Sequence, residues 1–178
     1  MTEALFATET TSLAEADMLA LLHQRHSAEA MGARRWVIAE HVPQRPGHAD
    51  GQRIADFIAI DCYSAPGTYY WQKDARHLVH GFEIKVSRSD WLAELRDPSK
   101  AAAFIPYCHH WWLVAASRDV YQPDEIPEGW GVLVPTAASL RIKIRAPYRE
   151  AEAMPPAMVA SFARAVAKTA VRAPERAR

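Results

Sequence analysis

Apolar residues recur at two different spacings along the chain, and the change of spacing predicts the order of the elements. Near the N-terminus they follow helical spacing and predict a helix over 12–31, with one apolar face formed by Met18, Leu19, Leu22 and His26. Ser12 and Glu15 match a capping box at the start of this helix, and Gly32 is expected to end it. Residues 1–11 are expected to form a flexible N-terminus.

Strand-like segments follow this helix, and they are rich in β-branched and aromatic residues. They predict strands over 36–42, 54–63 and 78–86, separated by polar segments that contain Pro and Gly. Because the links between them are short, we expect the three strands to form an antiparallel meander.

The second half of the chain returns to helical spacing and then to short strands. A helix is predicted over 89–104, with either a kink or a division into two short helices at Asp97-Pro98, because proline disfavours helix at the residue before it. The other predicted elements are a buried strand at 111–116, a hairpin of strands at 131–135 and 140–144, and a helix over 156–170 that precedes a frayed tail.

This order of elements, α-β-β-β-α-β followed by a hairpin and a helix, predicts an α/β (α+β) fold around a mixed sheet. The 178 residues suffice for one domain with a substantial core, and 49% hydrophobic with 24% charged residues is typical of a globular protein. We place this domain at 12–150 and expect a C-terminal helix and a basic tail at 151–178.

Charge and cysteine content narrow the functional classes. The 21 basic and 21 acidic side chains cancel, which argues against a non-specific coat on nucleic acid. Residues 141–178 nevertheless carry nine bases and three acids, so this end either contacts phosphates or forms a solvated basic tail.

The cysteines and the apolar segments bear on the location of the protein. Two cysteines make no disulfide framework, and no signal peptide is recognisable. No apolar segment approaches the roughly 20 residues of a membrane span. We therefore expect a cytoplasmic protein with no membrane partner.

Charged residues interrupt two of the predicted strands at positions suited to catalysis. Alternation in the third strand sends Glu83 and Lys85 to one face, opposite the apolar side chains of Phe82, Ile84 and Val86. In the second strand Asp56 has apolar neighbours, and burying it without a partner would be costly. If the two strands pair, Asp56 approaches Glu83, and two close carboxylates call for a cation between them.

Magnesium suits such a pair, because it takes one or two carboxylates and completes its shell with water and phosphate oxygen. The metal would polarise a phosphate and acidify a bound water, while Lys85 would orient that water or stabilise the developing charge. Two carboxylates, a metal and a lysine arranged in this way suit phosphodiester hydrolysis. The structural alternative is a cross-strand ion pair, since Glu-x-Lys by itself is common.

A longer pattern resembles the PD-(D/E)XK nuclease superfamily, and more narrowly the MmcB-like DNA-repair nucleases and related phage-encoded proteins. The residues that carry it are Arg53-Ile-Ala-Asp56, the run from Gly81 to Trp91, and the segment from Tyr107 to Ala115. The resemblance covers about residues 12–135 and implies a restriction-endonuclease-like αβββαβ core. The superfamily's nominal Pro before the Asp is replaced by Ala55 in this chain.

The resemblance implies catalytic roles for Asp56, Glu83 and Lys85, with Asp56 and Glu83 as ligands of Mg²⁺ and Mn²⁺ as a substitute. Glu15 is a candidate third ligand, in competition with its capping role, and Glu40 is a second candidate.

Several further residues have a functional and a structural interpretation. Additional site candidates are Ser87, Lys100 and Tyr107, and candidates for contact with DNA are Arg53 and Arg88. The structural alternatives are a solvated side chain for Lys100 and a helix cap formed by Ser89 or Asp90.

A zinc site at Cys108, His109 and His110 is not expected, because the spacing is wrong and adjacent strand residues face opposite sides. Trp111 and Trp112 are expected in the core rather than as a base-stacking platform.

These patterns together predict a metal-dependent DNA endonuclease of DNA repair, recombination or phage DNA processing, with a homodimer as a candidate assembly. A catalytically silent DNA-binding module on the same fold, and a hydrolase or structural protein unrelated to nucleic acid, are the alternatives.

Overall fold

A computed structural model describes residues 13–30, 32–47, 51–63 and 77–176. The predicted flexible N-terminus 1–11, the predicted cap Ser12 and the last two residues of the tail lie outside these ranges. The helices are α1 (Glu15–Arg25), α2 (Arg88–Arg96), α3 (Ser99–Ala102) and α4 (Pro156–Arg176). The strands are β1 (Glu29–Ala30), β2 (Ala33–Arg34), β3 (Trp36–Pro43), β4 (Ile54–Asp61), β5 (Val79–Lys85), β6 (His110–Ala115), β7 (Trp130–Pro135) and β8 (Leu140–Ile144).

Strands β3 to β8 form one six-stranded sheet in chain order. The first three strands pair antiparallel, which confirms the predicted meander. Strand β6 lies parallel to β5 and to β7, and β7 pairs antiparallel with β8 as the predicted hairpin. Helices α2 and α3 lie in the crossover that a parallel β5–β6 pair requires. The fold is therefore a mixed α/β (α+β) fold around a mixed sheet, as the order of elements predicted.

Helices cover both faces of the sheet. On one face α1 packs its buried side chains against Phe57 and Phe82, and these side chains are Met18, Leu19 and Leu22. The other face packs against α2 and α4, with Trp91, Met158 and Phe162 in the same buried cluster as Trp111. The predicted burial of the strand 111–116 is confirmed.

Helix α4 also protects the edge of the sheet at β3. The backbone N–H of Glu40 donates to Oγ1 of Thr169 at 2.9 Å, so a helix side chain satisfies a backbone donor of the edge strand. Helix α4 continues to Arg176, and the predicted end at 170 with a frayed segment after it was wrong.

The predicted bounds of α1 were wrong at both described ends. The helix ends at Arg25 rather than 31, where Oγ of Ser27 donates to the carbonyl oxygen of Gln24 and competes with the helical hydrogen bonds. Gly32, with φ +77°, lies at the turn of the small β1–β2 hairpin instead of ending a helix.

The N-terminal cap of α1 differs from the predicted capping box. The capping residue is Ala14, and the carboxylate that accepts its N–H, at 2.7 Å, belongs to Asp17. A capping carboxylate must lie three residues after the cap, which excludes Glu15 from that role.

The predicted interruption at Asp97-Pro98 is confirmed, since α2 and α3 are two separate helices. The cap of α2 is Ser87, whose Oγ accepts the N–H of Asp90 at 3.2 Å. Ser89 and Asp90 were wrong as predicted caps because the helix begins one residue earlier than predicted, at Arg88. No helix in the described part of the chain combines the length and apolarity that crossing a membrane requires.

Candidate active site

Strand β5 divides its side chains between the two faces of the sheet. Phe82 and Ile84 belong to the cluster beneath α1, while Glu83 and Lys85 point to the opposite face. The Glu83 side chain has no exposure to solvent. An acidic side chain buried to this extent requires compensating partners.

Asp56 lies where the pairing of β4 and β5 ends. Phe57 and Phe82 are the last paired residues at this end, and the next free N–H, that of Ile84, donates to Oδ2 of Asp56 at 2.8 Å. A side-chain carboxylate therefore takes the place of a backbone acceptor as the two strands separate. This bond fixes the Asp56 carboxylate beside Glu83.

Lys100 joins the two carboxylates. Its Nζ lies 2.7 Å from Oδ1 of Asp56 and 2.7 Å from Oε1 of Glu83. Both oxygens therefore contact the same ammonium and are no further apart than twice 2.7 Å. Lys100 thus faces the site and is not the solvated lysine that the sequence left as an alternative.

The division between α2 and α3 positions Lys100. Oδ1 of Asp97 accepts the N–H of Ser99 at 3.2 Å, which orders the first turn of α3. Nη2 of Arg53 lies 3.3 Å from Oδ2 of Asp97 and also donates to Oγ of Ser99. Arg53, a predicted DNA contact, therefore ties the start of α3 to the beginning of β4.

Lys85 is held between two acids. Its Nζ lies 2.7 Å from Oε1 of Glu83 and 2.9 Å from Oε2 of Glu94 on α2. Glu94 was absent from the predicted site. Its spacing of three residues from the buried Trp91 was the signal available, because residues three apart share one face of a helix.

The charges of this group shift one another's pKa. Burial and then the neighbouring charge of Asp56 raise the pKa of Glu83 to about 7, and the nearby lysines offset only part of this rise. Burial lowers the pKa of Lys85 and of Lys100, but the carboxylates beside them outweigh it and raise both pKa values. The lysines therefore stay charged near neutral pH, while Glu83 exchanges its proton there.

In this site, two buried carboxylate oxygens have no hydrogen-bond partner within the described residues: Oε2 of Glu83 and Oε1 of Glu94. Such an oxygen carries an uncompensated desolvation cost. Both oxygens belong to the acids that hold Lys85, so this group retains capacity to accept a further donor or a cation.

A cleft of about 520 Å³ opens at the start of β4 and the end of β5, and Asp56, Lys85, Glu94 and Lys100 line it. Acidic residues in its wall are Glu15, Asp56, Asp90, Glu94 and Asp97, and basic residues are Arg53, Lys85 and Lys100. The Glu15 side chain stands at the rim, 52% exposed, with Oε1 3.9 Å from Nδ1 of His41. Among the described residues, no three His, Cys, Asp or Glu side chains are grouped so that they could hold a metal by themselves.

Other predicted site residues lie elsewhere. The Glu40 carboxylate is buried and hydrogen-bonded to Nε2 of His23 at 2.7 Å, Ser87 caps α2, and Tyr107 packs against the core. Arg88, a predicted DNA contact, pairs with Glu125, and its hydrogen bonds are the main cause that lowers the pKa of Glu125 to about 2.

The Cys108 thiol is buried, and burial raises its pKa to about 12, so the thiolate that zinc requires is disfavoured. The neighbouring Nδ1 of His109 accepts the N–H of Val79 at 3.0 Å, at the start of β5.

No protein-family model matches the chain, and no curated protein matches it. Among solved structures, the chain is similar to a protein of unknown function from Silicibacter pomeroyi, with a TM-score of 0.54 and 21% sequence identity over 92% of this chain and 94% of that chain. This likeness extends over nearly the whole length of both chains and concerns the fold.

Proposed function

We propose that this protein is a metal-dependent nuclease of the PD-(D/E)XK superfamily, akin to the MmcB-like DNA-repair nucleases, that hydrolyses DNA phosphodiester bonds. The observation that carries the proposal is the convergence of the Asp56 and Glu83 carboxylates on one cation position, with Lys85 fixed beside it. Asp56 and Glu83 would hold Mg²⁺, and Mn²⁺ would substitute for it.

The donor set fits a hard divalent cation. Two carboxylates satisfy the protein share of a magnesium shell, whose other positions water and phosphate oxygen fill. Oε2 of Glu83 lacks a partner in the described part of the chain, and Glu15 adds a carboxylate at the rim. When bound, the metal would polarise the phosphate and acidify a water. Lys100 must leave its position between the carboxylates for this to happen.

Lys85 would supply the fixed positive charge of the reaction. Glu83 and Glu94 hold its ammonium in place, and their carboxylates keep it protonated by raising its pKa. A charge positioned in advance costs no reorganisation when negative charge builds on the phosphate oxygens. Lys100, once released, would add a second ammonium at the open side of the cleft.

The test is cleavage of supercoiled plasmid, linear duplex, single-stranded and branched DNA with Mg²⁺, with Mn²⁺ and with EDTA. We expect cleavage that requires metal and that Lys85→Ala and Asp56→Asn abolish, while Lys143→Ala on the distant strand β8 leaves it unchanged. Cleavage that persists in EDTA or in Lys85→Ala would show the mechanism to be wrong.

A catalytically silent DNA-binding module is the second candidate, and one observation favours it. The Lys100 ammonium already neutralises both carboxylates without a metal. This candidate predicts DNA binding without cleavage under any metal, and it is rejected by wild-type cleavage that disappears in Asp56→Asn.

A further inference from the structure

A second concave region lies beside the cleft, between α4 and the loop that joins β3 to β4. Its volume is about 280 Å³, and we call it the α4 groove. Its described walls include His41, Gln52, Ile54, Ser161, Arg164 and Lys168.

The charge of the α4 groove differs from that of the cleft. Arg164 and Lys168 line it, His41 adds an ionisable base, and none of its described lining residues is acidic. Arg164, Lys168 and Arg172 follow one another at intervals of four residues on the exposed side of α4, so they lie along one stripe. The segment 156–172 contains no Asp or Glu. Among the described residues, the lining of the groove is therefore basic and carries no acidic side chain.

The α4 groove and the cleft share a wall. Ile54 lines the groove, whereas Arg53 and Asp56 line the cleft, so the beginning of β4 borders both. His41 lines the groove and lies 3.9 Å from Glu15 of the cleft. Its φ of +48° is left-handed within a strand, a conformation that costs about 1–3 kcal/mol in a residue other than glycine and concentrates at functional sites.

We propose that the α4 groove holds the phosphate backbone of the DNA strand next to the phosphate that enters the cleft. The inference rests on the proposed function, because that function defines which chain enters the cleft. Guanidinium and ammonium groups on a helix face suit phosphate oxygens, and contacts of this kind position the nucleic acid without reading its sequence. The predicted phosphate contact of the basic C-terminal region is thereby assigned to particular residues.

The experiment compares Arg164→Gln/Lys168→Gln with Arg141→Gln/Lys143→Gln. The second pair removes the same charge from β8, at the opposite edge of the sheet from β3. Fluorescence anisotropy of a labelled DNA duplex is read in EDTA over a series of salt concentrations. For the groove pair we expect about a tenfold loss of affinity and a log–log salt slope less steep by about 2, while the β8 pair stays close to wild type.

Equal losses in both pairs, or an unchanged affinity and slope in the groove pair, would overturn the proposal. The proposal would also be overturned if the wild type bound polyglutamate and not DNA, and if the groove pair abolished that binding. The partner would then be an acidic protein. Because EDTA removes the metal, the binding assay does not depend on cleavage. Groove-dependent binding together with no cleavage in Mg²⁺ or Mn²⁺ would overturn the proposed function alone. Cleavage together with an unaffected groove pair would overturn this inference alone.

Discussion

Nζ of Lys100 lies 2.7 Å from Oε1 of Glu83, so a helix ammonium reaches a carboxylate that has no exposure to solvent. The pair occupies the position at which the proposed metal would contact Glu83. Lys100 is therefore expected to stabilise the metal-free protein and would compete with the proposed metal for the same oxygen.

Lys100→Met is expected to bind Mn²⁺ about tenfold more tightly than the wild type, because a positive charge a few ångströms from the metal position is removed. In metal-free buffer the variant should lose about 2 kcal/mol of unfolding free energy, as the carboxylates lose a charged hydrogen-bond donor. Thermal unfolding during a Mn²⁺ titration measures both effects. Lys168→Met, on the exposed face of α4, is the matched control, and equal metal affinity in Lys100→Met and wild type would contradict the competition.

Glu83 should make stability depend on pH in an unusual direction. Its pKa rises from an ordinary 4.5 to about 7 on folding, chiefly through burial, so between these values the native state retains a proton that the unfolded state has released. Raising the pH from 4.5 to 7 therefore lowers stability, by up to about 3 kcal/mol, relative to a variant without this carboxyl. Urea unfolding of wild type and Glu83→Gln in EDTA at several pH values measures this difference.

The comparison of wild type with Glu83→Gln is necessary because two buried histidines also make stability depend on pH. Burial lowers the pKa of His26 to about 4 and that of His80 to about 3, so each favours folding more strongly as the pH rises towards 6.5. Both contributions are present in wild type and Glu83→Gln and cancel in the difference. A difference that does not change between pH 4.5 and 7 would contradict the raised pKa of Glu83.

The sequence could predict those parts of the candidate site that depend on local periodicity. The alternation of Phe82, Glu83, Ile84 and Lys85 places the charged pair on one face whatever the rest of the chain does. The meander then brings β4 next to β5, and Asp56 follows from that register. These predictions rest on the alternation of side chains between the two faces of a strand, which tertiary packing does not alter.

Glu94 and Lys100 could not be placed in the same way. Their positions depend on how α2 and α3 lie on the sheet, which the burial of Trp91 and the ties from Arg53 to Asp97 determine. The end of α1 was equally hard to predict, because it involves single polar contacts such as the bond from Oγ of Ser27 to the Gln24 carbonyl. Long-range packing and single polar contacts leave no periodic trace in a sequence.

Glu94→Gln is expected to slow the proposed cleavage reaction through Lys85 rather than to weaken the fold. The ammonium loses one of its two anionic partners, so its pKa falls and it is held less firmly. We expect DNA cleavage about tenfold slower, with a free energy of unfolding in EDTA close to that of the wild type. Asp90→Asn, an exposed acid one turn earlier on α2, controls for charge in the cleft. A slower rate that is matched by a loss of unfolding free energy would mean that Glu94 acts only on the fold.

Glu15 and Asp17 lie in the first turn of α1, and substituting each separates the roles that the sequence left open for Glu15. Glu15 lines the cleft, whereas Asp17 accepts the N–H of Ala14 at 2.7 Å. Glu15→Gln is therefore expected to raise the Mn²⁺ concentration for half-maximal stabilisation several-fold, with little loss of stability in EDTA. Asp17→Asn should lose about 1 kcal/mol of unfolding free energy and leave the metal midpoint unchanged, because it weakens a helix cap.

The comparison is decisive because both variants remove one negative charge from the same helix turn. A general electrostatic effect on the metal would act through distance alone and would shift both midpoints in the same direction. A ligand role predicts a shift in Glu15→Gln only. If the metal midpoint of Glu15→Gln equals that of the wild type, the cation is held by Asp56 and Glu83 without a third carboxylate, and the exposed position of Glu15 at the rim is then a matter of surface charge.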